Sequence, residues 1–348
     1  MNDRSTLRIA AALAVAALSS APLAGCSGAL PVPPGGSPLP PASSARSAAG
    51  PTFSAASPDR KKKKAKTLLY VSDVANNAID VFEVGKTKRP HPIRTITKGI
   101  QTPNGIATDE TGNLYVTNYN ANALTIYAPN TSTPERTITK GLNGPLDVKV
   151  DGSGNIYVAN VPFYASEVGA IEKYAEGSST PSATWYLPAT VIAFSGIALL
   201  NADQPGETSI YAMVYSEQSS YDTSAVFSCY PGYYICGQVG NTLSAAPGGI
   251  AVTQSPGGSQ PFQYLVVDQY VPGVLDFTQN GGESQIQTGG LPRMITMNEE
   301  DTDFFVADQF AGQVEEYSFP AGKLVNAFPV GNDSQLYGVA TFPSGTFH

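Results

Sequence analysis

Residues 103–118 read PNGIATDETGNLYVTN, and the stretch contains a complete hairpin. A largely apolar run from Pro103 to Ala107 gives way to the turn formers Asp109, Gly112 and Asn113. Leu114-Tyr115-Val116 then supplies strand-forming side chains, and Asn118 ends the strand. The second half of this hairpin recurs along the chain: LYVSD at 69–73, LYVTN at 114–118, IYVAN at 156–160, IYAMV at 210–214, YLVVD at 264–268 and FFVAD at 304–308. Successive starts lie 45, 42, 54, 54 and 40 residues apart.

Each copy is followed by another strand: AIDVF at 78–82, ALTIY at 123–127, AIEKY at 170–174, AVFSCY at 225–230, GVLDF at 273–277 and QVEEY at 313–317. Between copies the hexapeptide RTITKG begins at Arg94 and again at Arg136. All copies but the first follow an apolar strand that begins near Gly105, Asp147, Gly196, Gly249 or Met294. Four short strands per 40–54 residues is the signature of a propeller blade. The first LYV strand lacks a leading strand, and the last leading strand, Leu336 to Phe342, leads nothing. Pairing these two orphans completes one blade and removes exposed sheet edges. The expectation is an all-β, six-bladed β-propeller over residues 67–348, closed by its N- and C-terminal strands.

Pro103 through Asn118 resembles the NHL repeat, and Asp151-Gly-Ser-Gly-Asn155 matches the turn of that repeat a second time. The step of six from acid to apolar residue holds for Asp73 to Ile79, Asn118 to Leu124, Asp268 to Val274 and Asp308 to Val314. Two departures stand out. Val214 occupies the acid position of blade four, and the arginine that precedes the apolar residue in NHL repeats is replaced by Ala, Gly or Gln. The resemblance implies an NHL-like six-bladed ring.

The N-terminus carries a different message. Arg4 and Arg8 precede a ten-residue apolar run, Ile9 to Leu18, which is too short to span a bilayer and suits a secretory signal. Leu23-Ala24-Gly25-Cys26 resembles the lipobox of bacterial lipoproteins. That resemblance implies a signal peptide over 1–25, cleavage before Cys26, and lipidation of its thiol. Residues 26–66 are rich in Pro, Ser, Ala and Gly and end in the run from Arg60 to Lys66, the composition of a disordered tether. The expected location is the bacterial cell envelope, periplasmic or cell-surface, with the membrane as one partner through Cys26. Ser27 lacks the Asp that resembles an inner-membrane retention signal, which favours an outer membrane.

Charge narrows the partners. Residues 1–66 hold nine of the 20 basic residues and two of the 28 acidic ones, for +7, so residues 67–348 carry 11 against 26, for −15. An acidic body repels phosphate backbones, and no nucleic acid is expected. The chain has two histidines: His91, in a Lys/Pro-rich segment, and His348, the last residue. Neither suits a catalytic or metal-binding centre, so no cofactor and no metal are implied. A monomer is expected.

Candidate sites follow from propeller topology. The column Asp73, Asn118, Asn160, Asp268 and Asp308 sits at strand ends, where Asp and Asn are expected to bond the following turn. Cys229 and Cys236 flank Pro231-Gly232 and can bridge across a hairpin. The mouth of the central channel is expected to be lined by Asn104, Asp147, Ser195, Gly248, Arg293 and Tyr337, which start the innermost strands. Blades three and four take 11 and 12 residues where other blades step six, and these insertions carry Phe163, Tyr164, Glu167, Tyr215, Glu217 and Tyr221 over the same mouth. Aromatic side chains give large contact area at low entropic cost. The favoured reading is a non-catalytic module that binds a protein, peptide or glycan through Phe163, Tyr164, Tyr215 and Tyr221, with Asn104, Asp147 and Arg293. The alternative is a hydrolase, lactonase or lyase acting at the mouth.

Overall fold

The computed structural model describes residues 66–343, apart from 86–90, 162–168, 188–192, 201–207, 219–220, 230–235, 244–246, 254–262, 270–271, 279–282 and 332–334. The expected leader and tether, with Cys26, lie outside the described residues but for Lys66.

The chain opens with β1 (Leu68–Asp73), β2 (Ala78–Glu83) and β3 (Arg94–Ile96). Five complete blades follow. They are β4 (Pro103–Thr108), β5 (Leu114–Asn118), β6 (Ala123–Tyr127) and β7 (Arg136–Ile138); then β8 (Pro145–Val150), β9 (Ile156–Asn160), β10 (Ala170–Tyr174) and β11 (Pro181–Tyr186). Next come β12 (Ala193–Leu200), β13 (Ser209–Gln218), β14 (Tyr221–Cys229) and β15 (Gly237–Leu243). The last two are β16 (Pro247–Thr253), β17 (Gln263–Asp268), β18 (Gly273–Thr278) and β19 (Glu283–Gln287), then β20 (Pro292–Met297), β21 (Asp303–Asp308), β22 (Gln313–Ser318) and β23 (Lys323–Pro329). β24 (Leu336–Phe342) pairs antiparallel with β1, so the termini close the first blade as the orphan strands require. The protein is an all-β, six-bladed β-propeller: the inner strands touch in the closed order β24, β4, β8, β12, β16, β20.

The core is distributed. Six apolar clusters sit one at each seam between neighbouring blades, for example Leu124, Ile138, Val148, Val158 and Tyr174 between blades two and three. Each blade is therefore buried on both faces, which is why the central strands read as continuous apolar runs with no alternation; all five residues of LYVTN are buried. The repeated RTITKG has a local cause. Its lysine carbonyl accepts the hydroxyl of a tyrosine in the next blade, Tyr127 to Lys98 at 2.7 Å and Tyr174 to Lys140 at 2.8 Å. The following Gly99 and Gly141 sit at φ +78° and +82°, beneath Pro134 and Pro181, where a side chain has neither the backbone conformation nor the room.

Every inner strand carries a register break near its start. Such bulges leave backbone groups unpaired in the ladder and bend the strand. Neighbouring inner strands come so close there that a β-carbon on Gly105 would stand 2.5 Å from the Asp147 Cα, and one on Gly196 2.9 Å from the Gly249 Cα. Hydroxyls from the second strands hold the freed groups. Ser72 Oγ donates to the Asn104 carbonyl at 2.7 Å and accepts the Gly338 N–H, and Thr117 Oγ1 reaches the carbonyls of Gly105 and Leu146 at 3.0 and 3.2 Å.

The strand-end column has a different common role from the one expected. Asp73 and Asp308 do accept N–H groups of the turn that follows, from Asn76 and from Phe310 and Ala311. What four blades share, however, is a bond to the loop that enters the inner strand: Gln335 to Asp73, Gln101 to Asn118, Asn143 to Asn160 and Leu291 to Asp308. That loop leaves the previous blade with no ladder partner, so its amide needs a side-chain acceptor.

In blade six this arrangement is left incomplete. Asp308 Oδ2 is buried with no hydrogen-bond partner, and Glu315, also buried, is close enough to repel it. Burial and then Glu315 raise the Asp308 pKa above the usual carboxylate range. In blade two the same two positions are Asn118 and Thr125, joined by an amide-to-hydroxyl bond of 2.9 Å. A raised folded-state pKa means that stability rises as pH falls through that pKa. Asp308→Asn is therefore expected to raise Tm at neutral pH, with the gain shrinking as the medium is acidified toward the carboxylate range. Melting curves of both proteins across that pH span check it; a gain that grows on acidification contradicts it.

Candidate functional site

At the end of the ring where the inner strands begin, several polar side chains stand in the positions expected of a channel mouth. Arg293, the second residue of β20, is half-buried. Its Nε donates to Gln309 Oε1 and its Nη1 to Gln269 Oε1, both at 2.6 Å, and its guanidinium lies 5.7 Å from the centre of the Tyr337 ring. The Tyr337 hydroxyl is pushed up to about 12 by burial, with Arg293 working against the shift and Asp147 and Tyr119 adding to it. Those four residues are therefore within electrostatic reach of one another. Burial likewise raises the Tyr119 hydroxyl, and both phenols remain protonated donors at neutral pH.

Asp147 plays another part. It stands in the repeat column that Gly105, Gly196, Gly249 and Gly338 occupy in other blades. Its carboxylate accepts the Val148 N–H at 2.8 Å and the Ile197 N–H of the next inner strand at 2.9 Å, and Lys149 Nζ spans both oxygens at 3.0 and 3.1 Å. This residue staples blade three to blade four, and its oxygens are occupied. Asn104 is buried, and its backbone carbonyl serves the Ser72 hydroxyl. Ser195 Oγ, in the same column as Asn104 and Arg293, is enclosed without a hydrogen-bond partner. Among the described residues no three His, Cys, Asp or Glu side chains converge on a common point.

Sequence reasoning named Arg293, Tyr337 and Asp147 but missed the glutamines. Gln269 and Gln309 each follow the strand-end acid, in the column Val74, Tyr119, Val161, Tyr215, Gln269 and Gln309. Polar residues in this column in two adjacent blades were the available signal.

Of the insertions, Phe163, Tyr164 and Glu167 lie outside the described residues. The blade-four insertion was expected as a loop and is instead a prolonged hairpin. β13 and β14 stay in register through Tyr215↔Ser224, Ser216↔Thr223, Glu217↔Asp222 and Gln218↔Tyr221. Four pairs beyond Val214 correspond to about 13 Å of extra strand. The backbone of Tyr215 and Tyr221 belongs to this extension. Its strand continues down to Cys229, bridged to Cys236 (S–S 1.99 Å) inside the seam between blades three and four, where Cys236 N–H bonds the Tyr186 carbonyl. Phe310, beside Gln309, is 78% exposed.

A groove of about 730 Å³ lies on the opposite face, between blades two and three, lined by Asp109, Glu110, Glu135, Arg136, Asp151 and Glu176 among others. Two of its carboxylates are spent in their own turns. Asp109 accepts Thr111 and Asn113 N–H groups and the Tyr115 hydroxyl; Asp151 accepts Ser153 and Asn155 N–H groups and the Tyr157 hydroxyl. These are the turns that the sequence displays as DETGN and DGSGN.

Comparison with known proteins places the fold. No family model matches the chain, and no curated protein matches it. Among solved structures, a chain of the nidogen/laminin complex aligns with a TM-score of 0.59 at 15% identity, over 79% of this chain and 98% of that one. A functionally unknown protein from Desulfotomaculum acetoxidans gives 0.53 at 15% identity, over 79% and 98%. A Bacteroides fragilis protein described as a candidate 6-phosphogluconolactonase gives 0.54 at 12% identity, over 81% and 99%. At these identities the likeness is one of fold.

The staple makes a quantitative prediction. Asp147→Ala strands the Lys149 ammonium and two N–H groups in a buried place, which costs roughly 3 kcal/mol and roughly 6 °C in Tm. Asp147→Asn keeps one acceptor and is expected to cost less. Thermal unfolding of the two variants checks the order; an unchanged Tm for the alanine variant would remove the staple.

Proposed function

We propose that this chain is an exported binding module, anchored to the cell envelope through a lipid on Cys26. In this reading it engages a protein, peptide or glycan with the propeller face on which the inner strands begin. The observation that carries the reading is the blade-four hairpin, which continues four residue pairs past the level at which blades one, two, five and six turn. A rigid ring that projects one strand pair over its own mouth presents an edge and a set of side chains to a partner, and binding residues concentrate on such projections. The occurrence of the fold in a chain of the nidogen/laminin complex agrees with a binding role but carries no residue of it here. The disulfide agrees with an oxidising compartment, and no helix among the described residues is long and apolar enough to cross a membrane.

Catalysis at the mouth by Asn104, Asp147 and Arg293 fits less well. Asp147 already serves a cation and two amides, so a general base or ligand role requires it to abandon the contacts that join two blades.

Screening the full chain against a displayed peptide library and a glycan array tests the reading. The triple substitution Tyr164→Ala, Tyr215→Ala, Tyr221→Ala is expected to weaken any selected binder by about tenfold or more while leaving Tm unchanged, as loss of aromatic contact residues does. A folded triple variant that binds like the parent overturns it.

A further inference from the structure

We infer that Arg293 is the anchor of a carboxylate-binding subsite at the channel mouth, taking either a free organic acid or an acidic side chain of a polypeptide partner. The inference deepens the binding role proposed above and rests on it.

Three observations converge. The first is charge. From residue 193 to the end, the chain has fifteen carboxylates and two cationic side chains, Arg293 and Lys323. Lys323 lies on the outer strand β23 and is exposed; Arg293 is the cation that this half of the ring places at the mouth. Arginine in such acid-rich surroundings would ordinarily pair with a carboxylate. Among the described residues Arg293 has no ion pair, and its two hydrogen-bond acceptors are the neutral amide oxygens of Gln269 and Gln309. Asp147, the acid close enough to act on the same Tyr337 hydroxyl, is neutralised by Lys149. Amide oxygens satisfy N–H donors but leave the net charge of a half-buried guanidinium uncompensated.

The second is geometry. A guanidinium has five N–H donors. The glutamines use one on Nε and one on Nη1, and the guanidinium carbon lies 5.7 Å over the centre of the Tyr337 ring. Three donors, both on Nη2 and one on Nη1, remain. A planar pair of terminal nitrogens with parallel N–H bonds matches the two oxygens of a carboxylate. Because the glutamines and Tyr337 fix the guanidinium, little side-chain freedom is left to lose when a ligand docks.

The third is the surroundings. Tyr337 faces Arg293 and Tyr119 is within electrostatic reach of Tyr337, and both hydroxyls stay protonated at neutral pH. Phe310, next to Gln309, stands 78% exposed at the rim, where it can cover the apolar part of an acid. Arg293 thus sets a single positive charge on a body of net −15, so an anion that does not fit the fork gains little against the general repulsion.

The test is calorimetric titration of the full chain with succinate, with an Asp/Glu-containing peptide, with the same peptide carrying Asn/Gln, and with inorganic phosphate. The expected result is binding of a carboxylate probe and loss of about tenfold to a hundredfold on going to the amide peptide, with phosphate weaker than either carboxylate. Succinate binding as well as the peptide identifies a free acid as the ligand; peptide binding alone identifies a polypeptide partner. Arg293→Gln should abolish binding and Arg293→Lys should weaken it, since an ammonium cannot form the fork. If Arg293→Gln fails to fold, Gln309→Glu decides the matter: an internal carboxylate in place of the amide occupies the charge and is expected to block the probes while the fold is retained. Carboxylate probes that do not bind, phosphate that binds more tightly, or binding unchanged in a folded Arg293→Gln or Gln309→Glu overturns the subsite. Partners selected on the library or array that depend on the tyrosines but not on Arg293 would overturn the subsite and leave the binding role standing.

Discussion

The close approach of six bulged strands around one axis is the constraint from which the rest of this structure follows. Strands that lean together at their bulges expose amides and carbonyls that no ladder satisfies, and a buried unpaired backbone group is costly. Three devices meet the demand. Glycine fills the column where backbones touch, as at Gly105 and Gly196. Ser72 and Thr117 send hydroxyls into the bulges of their own and the neighbouring inner strand. Asp147, the acid in the glycine column, reaches across to the Ile197 amide and is held by Lys149. Each device ties two blades at once, so closure is cooperative around the ring.

Closure of this kind decides what the mouth can be. Side chains that begin the inner strands sit on the most constrained backbone of the molecule, and their positions are set to within the tolerance of the bulge. Sites on such elements are held more precisely than sites on loops. Arg293 gains from this twice: its own strand is packed in the ring, and the glutamines that grip it extend from the ends of β17 and β21, the second of which has an acid, Asp308, that ties down the loop before β20. The blade-four hairpin projects from the same rigid base, with the buried Cys229–Cys236 bridge further along its second strand.

Much of the architecture could be read from the chain because a repeat states its design six times. The LYV-type strands, their spacing and the orphan strands at either end are consequences of burying both faces of every blade, and apolar runs in that pattern admit few other folds. The tight turns were legible for the same reason: Asp109 and Asp151 stand at the start of spacings that place Asn113 and Asn155 within reach of their carboxylates. What could not be read was which partner a polar side chain takes when two are within reach. The strand-end Asn and Asp looked like caps of the turn after them, yet the contact common to the blades is with a loop in the preceding connection, a long-range choice invisible in local sequence. Asp147 looked like a mouth-lining residue; its partner Lys149 lies two residues on in the same strand, but the Ile197 amide becomes its neighbour only when the ring closes. Gln269 and Gln309 carry no motif at all; they matter because closure brings blades five and six together around Arg293.

Repetition also explains where individuality resides. Six equivalent blades confer on every column the same place in the ring, so a residue that breaks its column is not required by the fold and stands where the fold would have accepted something simpler. Asp147 breaks the glycine column, and its bonds show a structural answer: it replaces hydroxyl stitching at the seam where blade three offers Ala159 in the place of Ser72 and Thr117. Arg293 stands in a column with no common residue (Asn104, Leu146, Ser195, Gly248 and Tyr337 in the other blades), and it reaches Gln269 of blade five and the Tyr337 ring of blade one across two seams. Its contacts, two amide oxygens and one aromatic ring, orient the group without neutralising it. A half-buried charge that is aimed but not paired lowers stability in the isolated protein, and the compensation lies in a negative group that arrives from outside.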